Sequence, residues 1–181
     1  MRVLETMIEG AVGLGKMEDT VARIKHDLGD AIRGGLIQLD GRFHQTTGDH
    51  YARRLLCRNP ELGYTAVVMT WGPGQGTAVH DHAGMWCVEG VVHGNMQVTQ
   101  YDLEEQRGDL YRFSQKGVIQ AGVGSSGCLI PPYEYHVLAN PTDSLAITLH
   151  VYGGEMVSCH VYHPRTDGWH ERRYRELAYD V

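Results

Sequence analysis

Residues 74–94 read GQGTAVHDHAGMWCVEGVVHG, and the fold is best worked out from the two histidines in this stretch. If the segment is an extended strand, side chains alternate between its faces, so His80 and His82 point the same way while Asp81 points away. Two imidazoles on one face of a strand can bind one metal ion without distorting the backbone. Gly74, ahead of the pair, suits a turn that leads into the strand. The stretch therefore predicts part of a metal site on a β-strand.

Two further groups of polar residues lie downstream. His136, within IPPYEYHVLAN, is a third candidate metal ligand. The pattern Thr148-x-His150-x-Tyr152 places three polar side chains on one face of another extended segment. Because these groups are far apart in the chain, we expect the remaining residues to form the scaffold that brings them together.

The composition narrows the class of protein. At 181 residues the chain is long enough for one domain with a substantial core. Its net charge of −6 lacks the basic footprint of nucleic-acid binding, and no apolar run reaches the ~18 residues that span a bilayer. The N-terminus lacks the pattern of a signal peptide. Four widely spaced cysteines without CxxC suit reduced thiols. We expect a cytoplasmic protein that binds neither nucleic acid nor membrane; a monomer is compatible with the sequence.

Hydrophobic periodicity divides the chain into a helical beginning and a strand-rich remainder. Before residue 35, apolar residues recur at helical spacing, as in Val21, Ile24, Leu28 and Ile32. After residue 50, short β-branched and aromatic runs are punctuated by glycine and proline, which favours a sandwich or barrel. We expect an N-terminal helical region (1–48) packed on a barrel (49–181) in a single domain, with a helical turn or arm at 169–181. The predicted strands are residues 64–71, 77–82, 86–92, 95–102, 110–113, 118–121, 128–130, 135–139, 145–152 and 158–162.

The spacing around the histidine pair resembles a known family of β-barrels. Residues 74–94 contain G-x5-H-x-H-x4-C-x6-G, which is similar to the first cupin motif with Cys87 in place of the usual glutamate ligand. Residues 136–140, H-x3-N, are similar to the end of the second cupin motif, although Tyr133 stands where glycine is usual. The resemblance implies a mainly β fold, the cupin double-stranded β-helix or jelly-roll barrel.

Within the cupins, residues from about 50 to 168 resemble the cysteine dioxygenase family of thiol dioxygenases. The resemblance implies an Fe(II) ion held by His80, His82 and His136. It also implies an enzyme that uses O2 to oxidise L-cysteine to cysteine sulfinic acid, so a small-molecule thiol and O2 are the expected partners. It rests on these matches: Tyr51-Ala52-Arg53, Trp71-Gly72, His80-Asp81-His82, Cys87, His136, Thr148-Leu149-His150-Val151-Tyr152, Cys159-His160 and Arg165-Thr166.

The same resemblance implies roles for residues near the metal. Arg53, which shares one face of an extended segment with Tyr51, is expected to bind the substrate carboxylate, since guanidinium matches carboxylate bidentately. A hydrogen-bonded series from Thr148 through His150 is expected to aim the hydroxyl of Tyr152 at the metal.

A covalent bond is also implied. Cys87 matches the cysteine that forms a thioether with Tyr152 in mammalian members, so the same thioether is expected here. Gly153-Gly154 follows the tyrosine where mammalian members have serine and proline, and this loop is expected to differ in shape.

Alternatives to this interpretation stay open. An ungapped count back from His80 selects Arg54 instead of Arg53 as the carboxylate ligand. Glu89 lies on the same strand as Cys87 and is an alternative, shifted cupin ligand. Imidazole ligands also suit zinc, nickel or copper, so a zinc-dependent hydrolase or isomerase and a metal-dependent sensor are alternatives. A dioxygenase that acts on 3-mercaptopropionate or another small thiol is a further alternative.

Overall fold

The computed structural model describes residues 2–181, which form two helices followed by a mainly β body. Helix α1 spans Arg2–Val12, helix α2 spans Met17–Arg33, and a short 3₁₀ helix follows at Gly41–His44. The apolar stripe predicted within α2 is buried, with Ile24 and Leu28 fully inaccessible. None of the helices within residues 2–181 is long and apolar enough to cross a bilayer.

The described residues contain eleven strands in two sheets. One sheet has the order β1-β2-β9-β4-β7, and the other, β10-β11-β6-β5-β8-β3, closes on itself. The mainly β, jelly-roll architecture predicted for the chain is therefore confirmed. The strands are β1 (Ala52–Asn59), β2 (Tyr64–Trp71), β3 (Val79–His80), β4 (Cys87–His93), β5 (Met96–Arg107), β6 (Leu110–Ala121), β7 (Ser126–Leu129), β8 (His136–Ala139), β9 (Ala146–Tyr152), β10 (Ser158–Pro164) and β11 (His170–Glu176).

The first sheet is covered on both faces, which explains why its central strands are so apolar. Along β9, Leu149 and Val151 pack into the core that the two helices share, while Tyr152 packs into the core inside the barrel. His150 faces the barrel interior with Tyr152, because side chains alternate along a strand. The polar face of β9 is thus turned towards the interior of the barrel.

Helix α2 packs closely against the first sheet at Gly90 of β4. A Cβ atom at this position would lie only 2.8 Å from Cδ1 of Ile32 and 3.1 Å from Cδ2 of Leu28. Glycine therefore lets the helix pack directly on the strand whose other face carries Cys87 and Glu89. The division of the chain at residue 48 stays a prediction.

Four predicted segments differ from the structure. Residues 110–113 and 118–121 belong to one strand, β6, because residues 114–117 continue to pair with β5 around a bulge. The strand predicted at 77–82 is reduced to two residues. The tail prediction of a helical turn or arm is wrong, since this segment contains β11, which pairs with β10 along its whole length. Its charged side chains are mostly exposed, so no apolar alternation marks it as a strand.

Candidate active site

Three histidines from separate parts of the chain converge inside the barrel. His80 on β3 is paired directly with His136 on β8, and His82 follows two residues later. The Nε2 atoms of His80 and His136 are 3.2 Å apart. One ligand atom from each of the three rings lies within 4.8 Å of the other two. The structure therefore brings together the three residues that the sequence analysis selected as metal ligands.

The protonation of these rings suits a bound cation. Nδ1 of His80 lies 3.1 Å from the carbonyl oxygen of Ala78, and because a carbonyl only accepts, Nδ1 carries the hydrogen. Desolvation lowers the pKa of His80 to about 3 and the pKa of His136 well below its usual value, so both rings are neutral. In the His80 ring the lone pair is then on Nε2, the atom that faces His136. Convergent neutral imidazoles fit a divalent transition metal, whether iron, zinc, nickel or copper.

A buried carboxylate that the sequence analysis missed supports one of the three rings. Oε2 of Glu134 accepts a hydrogen bond from the backbone N–H of His82 at 2.7 Å and lies 3.5 Å from Nδ1 of that residue. Carboxylates in such positions orient metal-binding imidazoles. The position of Glu134 two residues before His136 was the available signal.

Asp81 points away from the three histidines, as the alternation predicted. Its Oδ2 accepts a hydrogen bond from the hydroxyl of Tyr162 and lies beside Nδ1 of His160, both at 2.9 Å. Burial alone would raise the pKa of Asp81, but hydrogen bonds from the backbone N–H groups of His160 and Ala83 and from Tyr162 lower it overall. Asp81 therefore ties the end of β3 to β10.

The three histidines open onto a pocket of about 30 Å³ whose wall includes Tyr51 and Arg53. Nη2 of Arg53 donates to the carbonyl of Met156 at 2.7 Å, and Nη1 donates to the carbonyl of Ala178 at 3.4 Å. Its Nε is buried and has no hydrogen-bond partner within residues 2–181. The pocket thus contains a guanidinium group with donors left over for an anionic ligand.

Arg54 lies on the other face of β1. Its Nη1 donates to the carbonyl of Gln45 at 2.7 Å, away from the residues that line the pocket. Of the two adjacent arginines, Arg53 is the one that the structure brings to the histidines.

Two more residues line the pocket, Tyr51 from the segment just before β1 and Arg175 from β11. Tyr51 stacks on Trp71, with ring centroids 4.4 Å apart, which holds its ring at the pocket wall. Arg175 lines the same pocket from β11. This second cation was not a predicted pocket residue, because no strand was predicted at residues 170–176.

The polar residues of β9 form part of the predicted series. Thr148 Oγ1 lies 2.7 Å from Nε2 of His150 and accepts a hydrogen bond from Nε1 of Trp71 at 2.9 Å. The expected link from His150 to Tyr152 is not among the hydrogen bonds of residues 2–181. Instead the two rings are nearly parallel, at 12°, with centroids 6.0 Å apart. Desolvation lowers the pKa of His150 to about 3, so this ring is also neutral.

Cys87 and Tyr152 are direct neighbours across β4 and β9. Desolvation raises the pKa of both side chains well above the usual values, so both keep their hydrogens at neutral pH. After the tyrosine, the N–H of Gly153 donates to the carbonyl of Trp86 at 3.0 Å, and a Cβ at that glycine would lie 2.2 Å from Nε1 of the indole. The glycine pair therefore lets Trp86 pack against the loop while Tyr152 stays opposite Cys87.

Glu89 faces His150 rather than the three convergent histidines. The two residues are paired across β4 and β9, and Oε2 of Glu89 is 3.6 Å from Nδ1 of His150. Together with Cys87 they form a second group whose ligand atoms lie within 4.8 Å of one another. Desolvation raises the pKa of Glu89 to about 7. The carboxylate therefore does not join the three-histidine group as a shifted cupin ligand.

Fold and site together define the class of protein. An antiparallel double-stranded β-helix with inward-facing histidines on β3 and β8 is a cupin. A similar solved structure is an uncharacterized conserved protein with a double-stranded β-helix domain from Klebsiella pneumoniae subsp. pneumoniae. It is 17% identical, covers 66% of this chain and 91% of its own, and has a TM-score of 0.51. This likeness concerns the fold alone.

Sequence comparison then gives the family. The family profile described as Cysteine dioxygenase type I matches residues 41–165, more than half of the chain. The chain therefore belongs to the cysteine dioxygenase type I family. Cysteine dioxygenase type 1 from Rattus norvegicus and from Mus musculus are each 23% identical over 112 residues, which cover 57% of this chain and 51% of the relative. The chain thus spans about half the length of the curated relatives it matches.

Proposed function

We propose that the protein is an iron-dependent thiol dioxygenase that oxidises L-cysteine with O2 to cysteine sulfinic acid, both oxygen atoms going to the sulfur. The observation that carries the proposal is the group of three convergent histidines beside a buried arginine, in a member of the cysteine dioxygenase type I family. The rat and mouse relatives are named for this activity.

In this proposal His80, His82 and His136 hold the metal. A bound Fe(II) ion would supply the redox chemistry that allows dioxygen to react with a thiolate. Neutral imidazoles leave the charge of the metal uncompensated, which favours an anionic thiolate as a further ligand. Tyr152 keeps its phenolic hydrogen because burial raises its pKa, so it can donate a hydrogen bond into the pocket.

Arg53 is the proposed ligand of the substrate carboxylate. Its guanidinium lines the same pocket as the histidines and is buried, so a charge-assisted hydrogen bond there is strong. Cysteine and 3-mercaptopropionate both have the required carboxylate. Cysteine also has an amine that can bind the metal beside its thiolate, so we expect cysteine to be the better substrate.

A zinc hydrolase on the same scaffold is less well supported. Such enzymes use a metal-bound water and a nearby general base. Among the described residues, those that line the pocket include no aspartate or glutamate. The carboxylate of Glu134, the one that contacts a candidate metal ligand, already accepts a hydrogen bond from the backbone N–H of His82.

We expect the reaction to take place in the cytoplasm, with only a thiol and O2 as partners. All four cysteines of the chain, Cys57, Cys87, Cys128 and Cys159, are free, and free thiols persist in a reducing compartment.

The proposal is tested by metal analysis and oxygen uptake on the same samples. Protein reconstituted without oxygen with Fe(II) should bind one iron per chain and consume one O2 per cysteine, giving a product heavier by two oxygen atoms. The His136→Ala variant should lose iron and activity, whereas His93→Ala, at an exposed histidine on β4, should keep both. No uptake with any small thiol by fully iron-loaded protein would refute the proposed function. Full iron occupancy in His136→Ala would remove that residue from the site.

A further inference from the structure

We propose that Glu89 is a positioning residue for His150, and that it fixes which ring nitrogen of that histidine carries the hydrogen. The effect on turnover rests on the proposed function. The position of the hydrogen does not, because it can be measured in protein that has no activity.

The geometry places the carboxylate of Glu89 directly beside the ring of His150. Glu89 and His150 are paired across β4 and β9, and their side chains are 12% and 2% exposed. Oε2 of Glu89 is buried and has no hydrogen-bond partner among the described residues. It lies 3.6 Å from Nδ1 of His150, slightly beyond hydrogen-bond length, so a small rotation of the carboxyl group closes the contact. An unpaired buried carboxylate oxygen is unfavourable, which favours this rotation.

The other side of the ring sets the direction of the hydrogen bonds. The indole N–H of Trp71 can only donate, and it donates to Oγ1 of Thr148. The hydroxyl hydrogen of Thr148 is then free to be donated to Nε2 of His150, 2.7 Å away. A neutral imidazole that accepts at Nε2 carries its hydrogen on Nδ1, the atom that faces Glu89. The series therefore runs in one direction from Trp71 to the carboxylate.

This arrangement defines what His150 can do beside the pocket. Both of its nitrogens are directed at protein groups, so its ring offers no free base to a ligand. The ring is instead held nearly parallel to Tyr152, at 12°. Without the carboxylate, Nδ1 loses its acceptor, and the hydrogen moves to Nε2, where Thr148 can accept it. We therefore infer that removal of Glu89 reverses the hydrogen-bond direction next to Tyr152.

The test is nitrogen NMR of ¹⁵N-histidine-labelled, metal-free protein. Loss of one set of signals in His150→Gln assigns this ring. At about pH 8.5, above the pKa of about 7 that burial gives Glu89, wild type should have the Nδ1–H form. Glu89→Gln should keep it, because the amide oxygen still accepts, whereas Glu89→Leu should switch to the Nε2–H form. Glu134→Gln, which removes a different buried carboxylate, should leave the His150 signals unchanged.

Several outcomes would overturn the proposal. An Nε2–H signal in wild type would do so even if the leucine variant failed to fold. So would an Nδ1–H signal in folded Glu89→Leu. Because Cys87, Glu89 and His150 offer three ligand atoms, zinc titration should be run in parallel, with one ion bound per chain expected. A second ion that disappears in Glu89→Leu would make this group a metal site instead.

Turnover provides the functional measurement. In iron-loaded Glu89→Leu we expect kcat to fall on the order of tenfold, by comparison with the loss of groups that orient metal-binding imidazoles. The KM for the thiol should stay the same because Arg53 is untouched, and Glu89→Gln should restore most of kcat. An unchanged kcat in the leucine variant would overturn the role in turnover. If the tautomer switches but wild type oxidises no thiol, the proposed function fails and the positioning of His150 stands.

Discussion

Removal of the Arg53 guanidinium should weaken the use of carboxylate substrates selectively. The guanidinium has five N–H donors. Two of them are donated to the carbonyls of Met156 and Ala178, which leaves three, including the unpaired Nε, for a ligand. Arg53→Met keeps the apolar stem of the side chain and removes all of the donors. Arg54→Met is the matched control, since that arginine donates to Gln45 outside the pocket.

The expected size of the effect follows from the burial of the site. A hydrogen bond to a charged group contributes roughly 1.5–3 kcal/mol. At about 1.4 kcal/mol for each factor of ten, kcat/KM for cysteine should fall roughly ten- to a hundredfold in Arg53→Met. Cysteamine has the thiol and the amine of cysteine but no carboxylate, so its kcat/KM should hardly change.

Oxygen-electrode kinetics with both thiols, on samples of known iron content, measure this selectivity. The thermal unfolding midpoint must be recorded for each variant, because the hydrogen bonds of Arg53 to the carbonyls of Met156 and Ala178 also stabilise the fold. A loss of equal size for cysteine and cysteamine would mean that the arginine is structural. A selective loss in Arg54→Met but not in Arg53→Met would show that the neighbouring arginine binds the carboxylate.

Three further predictions concern stability, covalent chemistry and charge. In the metal-free protein His150 stays neutral down to about pH 3, whereas in the unfolded chain it takes up a proton below about pH 6.5. The free energy of unfolding should therefore fall by up to about 1.4 kcal/mol per pH unit below that value. Urea unfolding of His150→Gln should show a shallower slope between these limits, and an equal slope would contradict the reasoning. A Cys87–Tyr152 thioether should form in part of the iron-loaded protein during turnover, with O2 as the oxidant and two hydrogens lost. Peptide mass mapping checks this, and separate unmodified peptides after turnover would reject it. Arg175→Gln should raise the KM of anionic thiols more than that of cysteamine, because its charge lines the pocket; equal changes in both would exclude a charge effect.

The parts of the site that could be predicted are those that follow from the alternation of side chains along one extended segment. His80 and His82 share a face because they are two residues apart on an extended segment, and the same holds for Thr148, His150 and Tyr152. These patterns do not depend on which strands are neighbours. The barrel was predictable for a similar reason, since the central strands β2 and β9 of the first sheet are apolar enough to be recognised by themselves.

The contacts of Glu89 and Arg175 could not be predicted, because they depend on pairing between distant strands. Glu89 was considered as a metal ligand because it lies near the histidine motif in sequence, yet its partner is set by the register of β4 against β9. Arg175 reaches the pocket only because β11 pairs with β10 and places it opposite Cys159. A charged, exposed strand has no periodic apolar signal, so nothing in its own sequence indicates that pairing. The candidate metal ligands and Arg53 could thus be selected from the sequence, whereas the positions of Glu89 beside His150 and of Arg175 at the pocket required the folded barrel.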